Sequence, residues 1–568
     1  MVEEEIIESP VHDDSGKEPS SDAAHSRLQR WLLVLILLAW VIRLPILFIP
    51  VSPLGDEELL LEANRISNAS RFVEAPSWGE RWEIQQQYSW GGRVLWVVVH
   101  MVWGYLVPSE GAAALIVPLV AAIIAAAALA LAAGRLYGPA ARLPILLLIS
   151  LSPLFLNYSA SLRGTMQSFM WLSLALASFT GSATSLWRWA LGGLFLGLSF
   201  VTHYGSGTAI VALALGLAFG MIRRTFRSAV DPSRLRELIA ALLGVISSLL
   251  PPALLHLWSR AAGSDYVYRL LTHENLAFEA LGPRGLWLRK LFELDPLLQA
   301  LTLVLIIVWI RRAASLRAMI LPALVTVTLA ATFVIALGQR PLEAHPSILI
   351  ATVAAIALSL CFPEASTVAI TTPAALPAQR DEMALDHTAV IVSVVAAFAL
   401  LTASRQLSAM PRLVFPCLAL FVLAIIGSMR RAPELRMELI TKFIAVIGTI
   451  AFLIGLAGIY SARSAGVRAE RFARQHSEMA RLHYENFYMP QERTVNCARM
   501  ALRSDHQIAI IGPLARLYPG ITHEEEPYKI DLMRGCIEQF DLGGVLTAEQ
   551  MPFATLFYRP SNGVASDR

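Results

Sequence analysis

Residues 31–57 read WLLVLILLAWVIRLPILFIPVSPLGDE, an apolar run from Trp31 to Val51 followed almost at once by the acidic doublet Asp56-Glu57. A run of about 20 apolar residues has the length of a membrane helix, so this stretch sets the fold class. It also marks a place for chemistry, because an anionic pair where a membrane helix meets water is well sited to act as a base.

The rest of the chain agrees with a membrane protein. Of 568 residues, 56% are hydrophobic and 16% charged, and the mean hydropathy is positive, which describes a polytopic membrane protein. The net charge is only +3. The arginines fall in short clusters between apolar runs and report sidedness, so no nucleic-acid partner is expected. The first 28 or so residues are acidic and Ser-rich, which predicts a disordered cytoplasmic tail at 1–28 and lacks the basic start of a signal peptide. Four cysteines show no metal-ligand spacing. Cys361 and Cys417 lie in or beside apolar runs, where a thiol behaves as a small hydrophobe. Cys497 and Cys536 lie in the polar C-terminal region and can pair if it faces an oxidising compartment.

Apolar windows recur near 31–51, 113–134, 143–158, 165–181, 188–203, 205–222, 238–257, 296–310, 318–338, 346–362, 389–404, 413–429 and 440–460. Arginine-rich connections at Arg223-Arg224 with Arg227, Arg234 and Arg236, at Arg311-Arg312 with Arg317, and at Arg430-Arg431 with Arg436 belong on the cytoplasmic side. Loops 52–110, 159–164, 258–295 and 339–345, and everything after Tyr460, then fall outside. The apolar segment 93–107 upsets this alternation. Either it is re-entrant or interfacial, or it spans and 143–158 does not. The expectation is an all-α polytopic membrane bundle of about 13 transmembrane helices over 29–460. A small extracytoplasmic C-terminal α/β domain follows at 461–568, where the runs 507–512 and 543–547 have strand character.

Long charged outer loops on a helical scaffold are where function concentrates. The first, PLGDEELLLEANRISNASRFVEAPSWGERWEIQQQYSWGGR over 53–93, joins Asp56 and Glu57 to Trp78, Trp82, Tyr88 and Arg93. Arginine forks grip phosphate, indole and phenol rings give a sugar an apolar platform, and a carboxylate can take a hydroxyl proton. Asp56 also fits the N-cap of an amphipathic helix from Glu57 to about Ser67, and the two roles can coexist.

Further candidates stand at apolar boundaries, where ionisable groups are costly. Arg163 ends the turn 159–164, and His203 sits at a turn that also reads as a polar hairpin tip. His273 lies in the loop 258–295, whose length suits a lid or acceptor-binding element. Arg340, Glu343 and His345 crowd the connection before the helix at 346. No phosphate-binding Gly-Lys loop and no HExxH pair is present, so ATP-driven pumping and zinc proteolysis find no support. Asp-X-Asp is missing too, so a lipid-borne donor fits better than a nucleotide sugar. No cofactor is firmly predicted, and a divalent metal is allowed without being required.

The order of these features resembles the GT-C superfamily of integral-membrane glycosyltransferases. Within it the chain is most similar to the branch holding protein O-mannosyltransferases and the lipid A aminoarabinose transferase. The stretches that carry the likeness are Leu54-Gly-Asp-Glu57, Gly91-Gly-Arg93, Gly134-Arg-Leu-Tyr-Gly138, Ser152-Pro-Leu-Phe-Leu-Asn-Tyr-Ser-Ala-Ser-Leu-Arg163 and Leu191-Gly-Gly-Leu-Phe-Leu-Gly-Leu198. The resemblance implies transfer of a sugar from a polyprenyl-phosphate carrier to an acceptor on a protein, lipid or glycan. Transfer would occur outside the membrane and with inversion. Asp56 would be the base and Glu57 its support, with Arg93 or Arg163 and Arg340 on the donor phosphate. From their own settings, His345 is grouped with the candidate phosphate-binding residues and His203 with the candidate substrate-binding ones. The chain departs from the family at Gln167, where many relatives carry an acid, and at His345, which meets the family pattern only loosely. A bacterial inner membrane is the expected location. Two other readings compete: a flippase or transporter of a lipid-linked sugar, and a non-catalytic envelope-assembly protein. The former would need charges spread through the bundle at broken helices, whereas the sequence places them at outer boundaries.

Overall fold

A computed structural model describes residues 21–48, 116–160, 164–227, 233–261, 383–403, 414–431 and 436–475. It also describes four short strands between 480 and 558, and scattered positions at 95, 99 and between 295 and 304. The described helices are α1 (Ser21–Val41), α2 (Ile116–Tyr137), α3 (Arg142–Leu151), α4 (Pro153–Ser159), α5 (Thr165–Phe179), α6 (Leu186–Thr202), α7 (Gly207–Arg227), α8 (Ser233–Ala261), α9 (His387–Ala403), α10 (Leu418–Arg431) and α11 (Met437–Gln475).

Among the described residues, five stretches are long and apolar enough to cross a membrane: Leu28–Ile46, Ile116–Tyr137, Gly207–Phe226, Arg234–Leu257 and Met437–Ala457. The chain is an integral-membrane helical bundle. The expected spans at 318–338 and 346–362 lie outside the described residues, as do nearly all of 93–107 and most of 296–310.

The segment expected to span at 143–158 is two helices rather than one. Its halves, Pro139–Leu151 and Pro153–Ser159, meet at 64°. Ser152 is extended there, with φ −67° and ψ 128°, because the ring of Pro153 disfavours helical geometry in the preceding residue and Pro153 has no N–H to continue the ladder. The Ser152 hydroxyl then accepts from the Phe155 N–H at 3.3 Å and caps α4. Ten residues of α3 rise about 15 Å before the break.

Glycines let the helices approach. A Cβ on Gly193 would strike the carbonyl oxygen of Gly244, and one on Gly197 that of Ser248. This four-residue pair of small residues is what brings α6 and α8 together. Gly448 of α11 rests against Leu151 and Leu297 beside the break. The bundle interior around α4 is aromatic: Phe155, Tyr158 and Phe169 all contact Phe415 at centroid distances of 4.2–5.1 Å. Cys417 is fully buried, in keeping with its apolar setting.

One end of the bundle gathers arginines. Arg224 donates to Glu237 Oε1 at 2.9 and 2.5 Å, and Arg234 lies 3.6 Å from Glu237 Oε2. Arg223 reaches Thr388 Oγ1 at 2.6 Å and Asp386 at 3.9 Å. The 181–185 turn joins this end, since the Ala384 and Leu385 N–H groups donate to the Gly181 and Phe179 carbonyls. Connections expected on one side of the membrane are therefore neighbours.

α11 continues past Tyr460 to Gln475, its Ala- and Arg-rich continuation favouring helix after the hydropathy falls. Four strands form a sheet in the order β1-β2-β4-β3, with β1 (Ala480–Arg481) parallel to β2 (Gln507–Ile511), and β3 (Thr547–Met551) and β4 (Ala554–Tyr558) antiparallel neighbours. β2 overlays the expected 507–512. Of the run expected at 543–547 only Thr547, the first residue of β3, is described.

Candidate functional site

Of the residues singled out for chemistry, His203 alone is described. Asp56, Glu57, Trp78, Trp82, Tyr88, Arg93, Arg163, His273, Arg340, Glu343, His345, Cys497 and Cys536 lie outside the described residues. His203 follows the last turn of α6 and is fully buried, which corrects the reading of a polar hairpin tip. Its Nδ1 accepts from the Gly205 N–H at 3.1 Å, and its backbone N–H donates to the Ser199 carbonyl at 3.1 Å. The ring is thus folded back on its own turn. That turn packs near Phe415–Cys417, linking it to the aromatic cluster around α4. Gln167 is also buried in α5.

Where the flanks of the outer loops meet is better defined. Arg43 follows α1, just before the chain enters the loop that carries Asp56 and Glu57. It donates to the Ser150 carbonyl at 2.5 Å and to Ser159 Oγ at 3.3 Å. Its guanidinium stacks 4.0 Å from the Trp40 ring centroid, and the Trp40 indole donates to Ser150 Oγ at 3.0 Å. Ser159 ends α4, four residues before Arg163 in sequence. On the other side of the break, Ser152 Oγ donates to Asp295 Oδ2. Asp295 is the last residue of the loop expected at 258–295. Its Oδ1 accepts from the Leu297 and Leu298 N–H groups at 3.1 and 3.2 Å, capping the helical residues that follow.

Each contact answers a need created by the break. Where α3 ends, carbonyls lose their helical donors, and no water is at hand inside a bundle to replace them. Arg43 supplies the donor at Ser150, and Ser152 supplies the cap at Phe155. Arg43 is 2% exposed and Asp295 0% exposed, yet neither has an opposite charge within ion-pair distance among the described residues. The Arg43 Nε also lacks a hydrogen-bond partner among them. Arg43 and Asp295 thus stand at the sequence edges of the expected outer loops and are buried beside the broken helix.

Sequence reasoning missed Arg43, Ser152 and Asp295. Ser152-Pro153 inside an apolar run and Asp295-Pro296 at the end of a loop were the signals, both pairs that end regular structure. Arg43 was in plain view but uninformative, because its partners lie more than 100 residues away. Among the described residues no group of three or more His, Cys, Asp or Glu side chains could hold a metal.

Fold and site together define a class: a polytopic helical membrane protein whose loop flanks converge on a broken, charge-bearing span. Among solved structures the chain is similar to ArnT from Cupriavidus metallidurans, crystallised with undecaprenyl phosphate, over 95% of this chain and 99% of that one. Identity is 12% and the TM-score 0.41, a level of agreement that says nothing about individual residues. No family model matches the chain, and no curated protein sequence does.

Proposed function

We propose that this chain is an inverting membrane glycosyltransferase that moves a hexose or pentose from a polyprenyl-phosphate carrier to an acceptor hydroxyl on the extracytoplasmic face. The observation that carries this reading is the junction at the broken span. Flanks of three loops expected outside, those bearing Asp56-Glu57, Arg163 and His273, are joined there by Arg43, Ser159, Ser152 and Asp295. Loops anchored at one point can bring a carboxylate and guanidinium groups around one substrate.

In the proposed step Asp56 takes the proton of the acceptor hydroxyl while its oxygen attacks the anomeric carbon. The bond from that carbon to the phosphate oxygen breaks, and the polyprenyl phosphate leaves with the electron pair. Arg93, Arg163 and Arg340, with His345, hold the developing negative charge. Glu57 supports the base. Trp78, Trp82, Tyr88, His203, His273 and Glu343 line the substrate's path, and 461–568 forms an outer domain in which Cys497 can pair with Cys536. In this scheme Arg43 and Asp295 are positioning residues.

The test is purified full-length protein with radiolabelled polyprenyl-phosphate sugars, with and without candidate acceptors. Asp56→Asn should abolish transfer while the protein stays monodisperse. Full activity in that variant would overturn the base assignment, and loss of folding would favour the helix-cap role.

One observation favours a second reading. A helix broken inside the bundle, with buried charges beside it, is also how transporters build a binding site. Reconstituted vesicles separate the two: a flippase moves the lipid-linked sugar between leaflets without breaking its bond to phosphate.

A further inference from the structure

Three arginines at the arginine-rich end are not explained by the ion pairs there. Arg135 lies in the last turn of α2, Arg142 opens α3 and Arg188 lies in the first turn of α6. None has a carboxylate within ion-pair distance among the described residues. Arg188 and Arg142 both bear electrostatically on Arg135, so three like charges share one corner of the bundle. Arg135 has one structural task, donating to the Ala177 carbonyl at 2.7 Å near the end of α5.

The other two are cradled rather than paired. The Arg142 side chain lies across Gly134, and the Arg188 guanidinium lies across Gly181; a Cβ at either glycine would collide with it. Both arginines also stand at helix N-termini, where the helix dipole disfavours a cation and favours an anion. Neither N-terminus has a side-chain cap. A bound anion would relieve the mutual repulsion and satisfy both helix ends.

We infer that Arg135, Arg142 and Arg188 form a binding site for the phosphodiester headgroup of an anionic phospholipid. The neighbouring surface favours a lipid over a free phosphate. Trp187 is 61% exposed beside Arg188, Leu186 is exposed next to it, and Leu131 is exposed one turn before Arg135 on the same helix. Charge and apolar surface side by side at helix ends match a headgroup with its acyl chains. The arginine clusters assign this end to the cytoplasmic leaflet. The inference does not depend on the proposed reaction.

The test uses full-length protein in neutral detergent, titrated with phosphatidylglycerol, phosphatidylcholine or inorganic phosphate, with bound lipid counted by native mass spectrometry and Tm followed in parallel. Phosphatidylglycerol should bind and raise Tm where phosphatidylcholine does not. The triple variant Arg135→Gln/Arg142→Gln/Arg188→Gln should bind it on the order of 100-fold more weakly. Gly181→Ala changes no charge and displaces only a flexible side-chain end, so it should fold normally and still weaken binding by about fivefold. Lys442→Gln, which removes a lysine already paired with Glu438 at 2.7 Å, should bind as the unaltered protein does.

Equal binding of both lipids would overturn the site, as would protection by inorganic phosphate equal to that by the lipid. So would a Gly181→Ala protein that binds normally, since the effect would then be diffuse charge. Should the triple variant misfold, Gly181→Ala and the single Arg188→Gln carry the test.

Discussion

At the arginine-rich end, Arg224 and Arg234 share Glu237, and Arg223 faces Asp386. At the broken span, Arg43 and Asp295 are more deeply buried, yet each is held by hydroxyls and backbone groups in place of an opposite charge. The paired network is what a bundle needs to fix its connections. A buried charge without a counter-charge costs several kcal/mol of desolvation that hydrogen bonds only partly offset. The first region should therefore govern stability and the second should govern function, and each can be broken separately.

The largest effect is expected from Asp56→Asn, on the loop rooted at Arg43. Transfer should fall by a factor of about 100 to 10,000, with Tm unchanged; radiolabel transfer measures it. Next is Glu237→Met, which removes the carboxylate between two guanidinium groups and should cost about 3–5 kcal/mol of stability. Transfer by the protein that remains folded should not change, and thermal unfolding with activity per folded molecule separates the two. Equal loss of specific activity in this variant would erase the contrast between the two ends.

Arg43→Met keeps much of the side-chain volume and removes the charge. Transfer should drop by about 100-fold, the scale of a 1 Å misplacement of a reacting group, while stability stays within about 1 kcal/mol. A loss seen in kcat with little change in KM identifies a positioning role. The smallest effect is at Asp295. Asp295→Ala removes a helix cap and should cost about 0.5–2 kcal/mol, whereas Asp295→Asn, which can still cap, should restore most of it. If Asn fails to rescue folding, the negative charge itself is needed at the break.

Hydropathy made the membrane class, the arginine-rich connections and most helix positions legible, because each depends on neighbours in sequence. The window 143–158 had the right composition for a span, and only the Ser152-Pro153 pair betrayed the bend. The loop candidates were chosen by chemistry and sidedness. What ties their flanks together was out of reach, because the bonds from Arg43 to Ser150 and Ser159 and from Ser152 to Asp295 cross more than 100 residues. Hydropathy also set the end of α11 at the membrane surface, while helix propensity carries it onward to Gln475.

That continuation turns α11 into an axle. Its 39 residues span about 58 Å, roughly twice the hydrocarbon thickness. At Gly448 it bears on Leu151, the last residue before the bend, and on Leu297, and its far end precedes in sequence the strands after residue 480. An unbroken helix transmits rotation and tilt along its length, so a load applied at its far end would be felt mechanically at the bend.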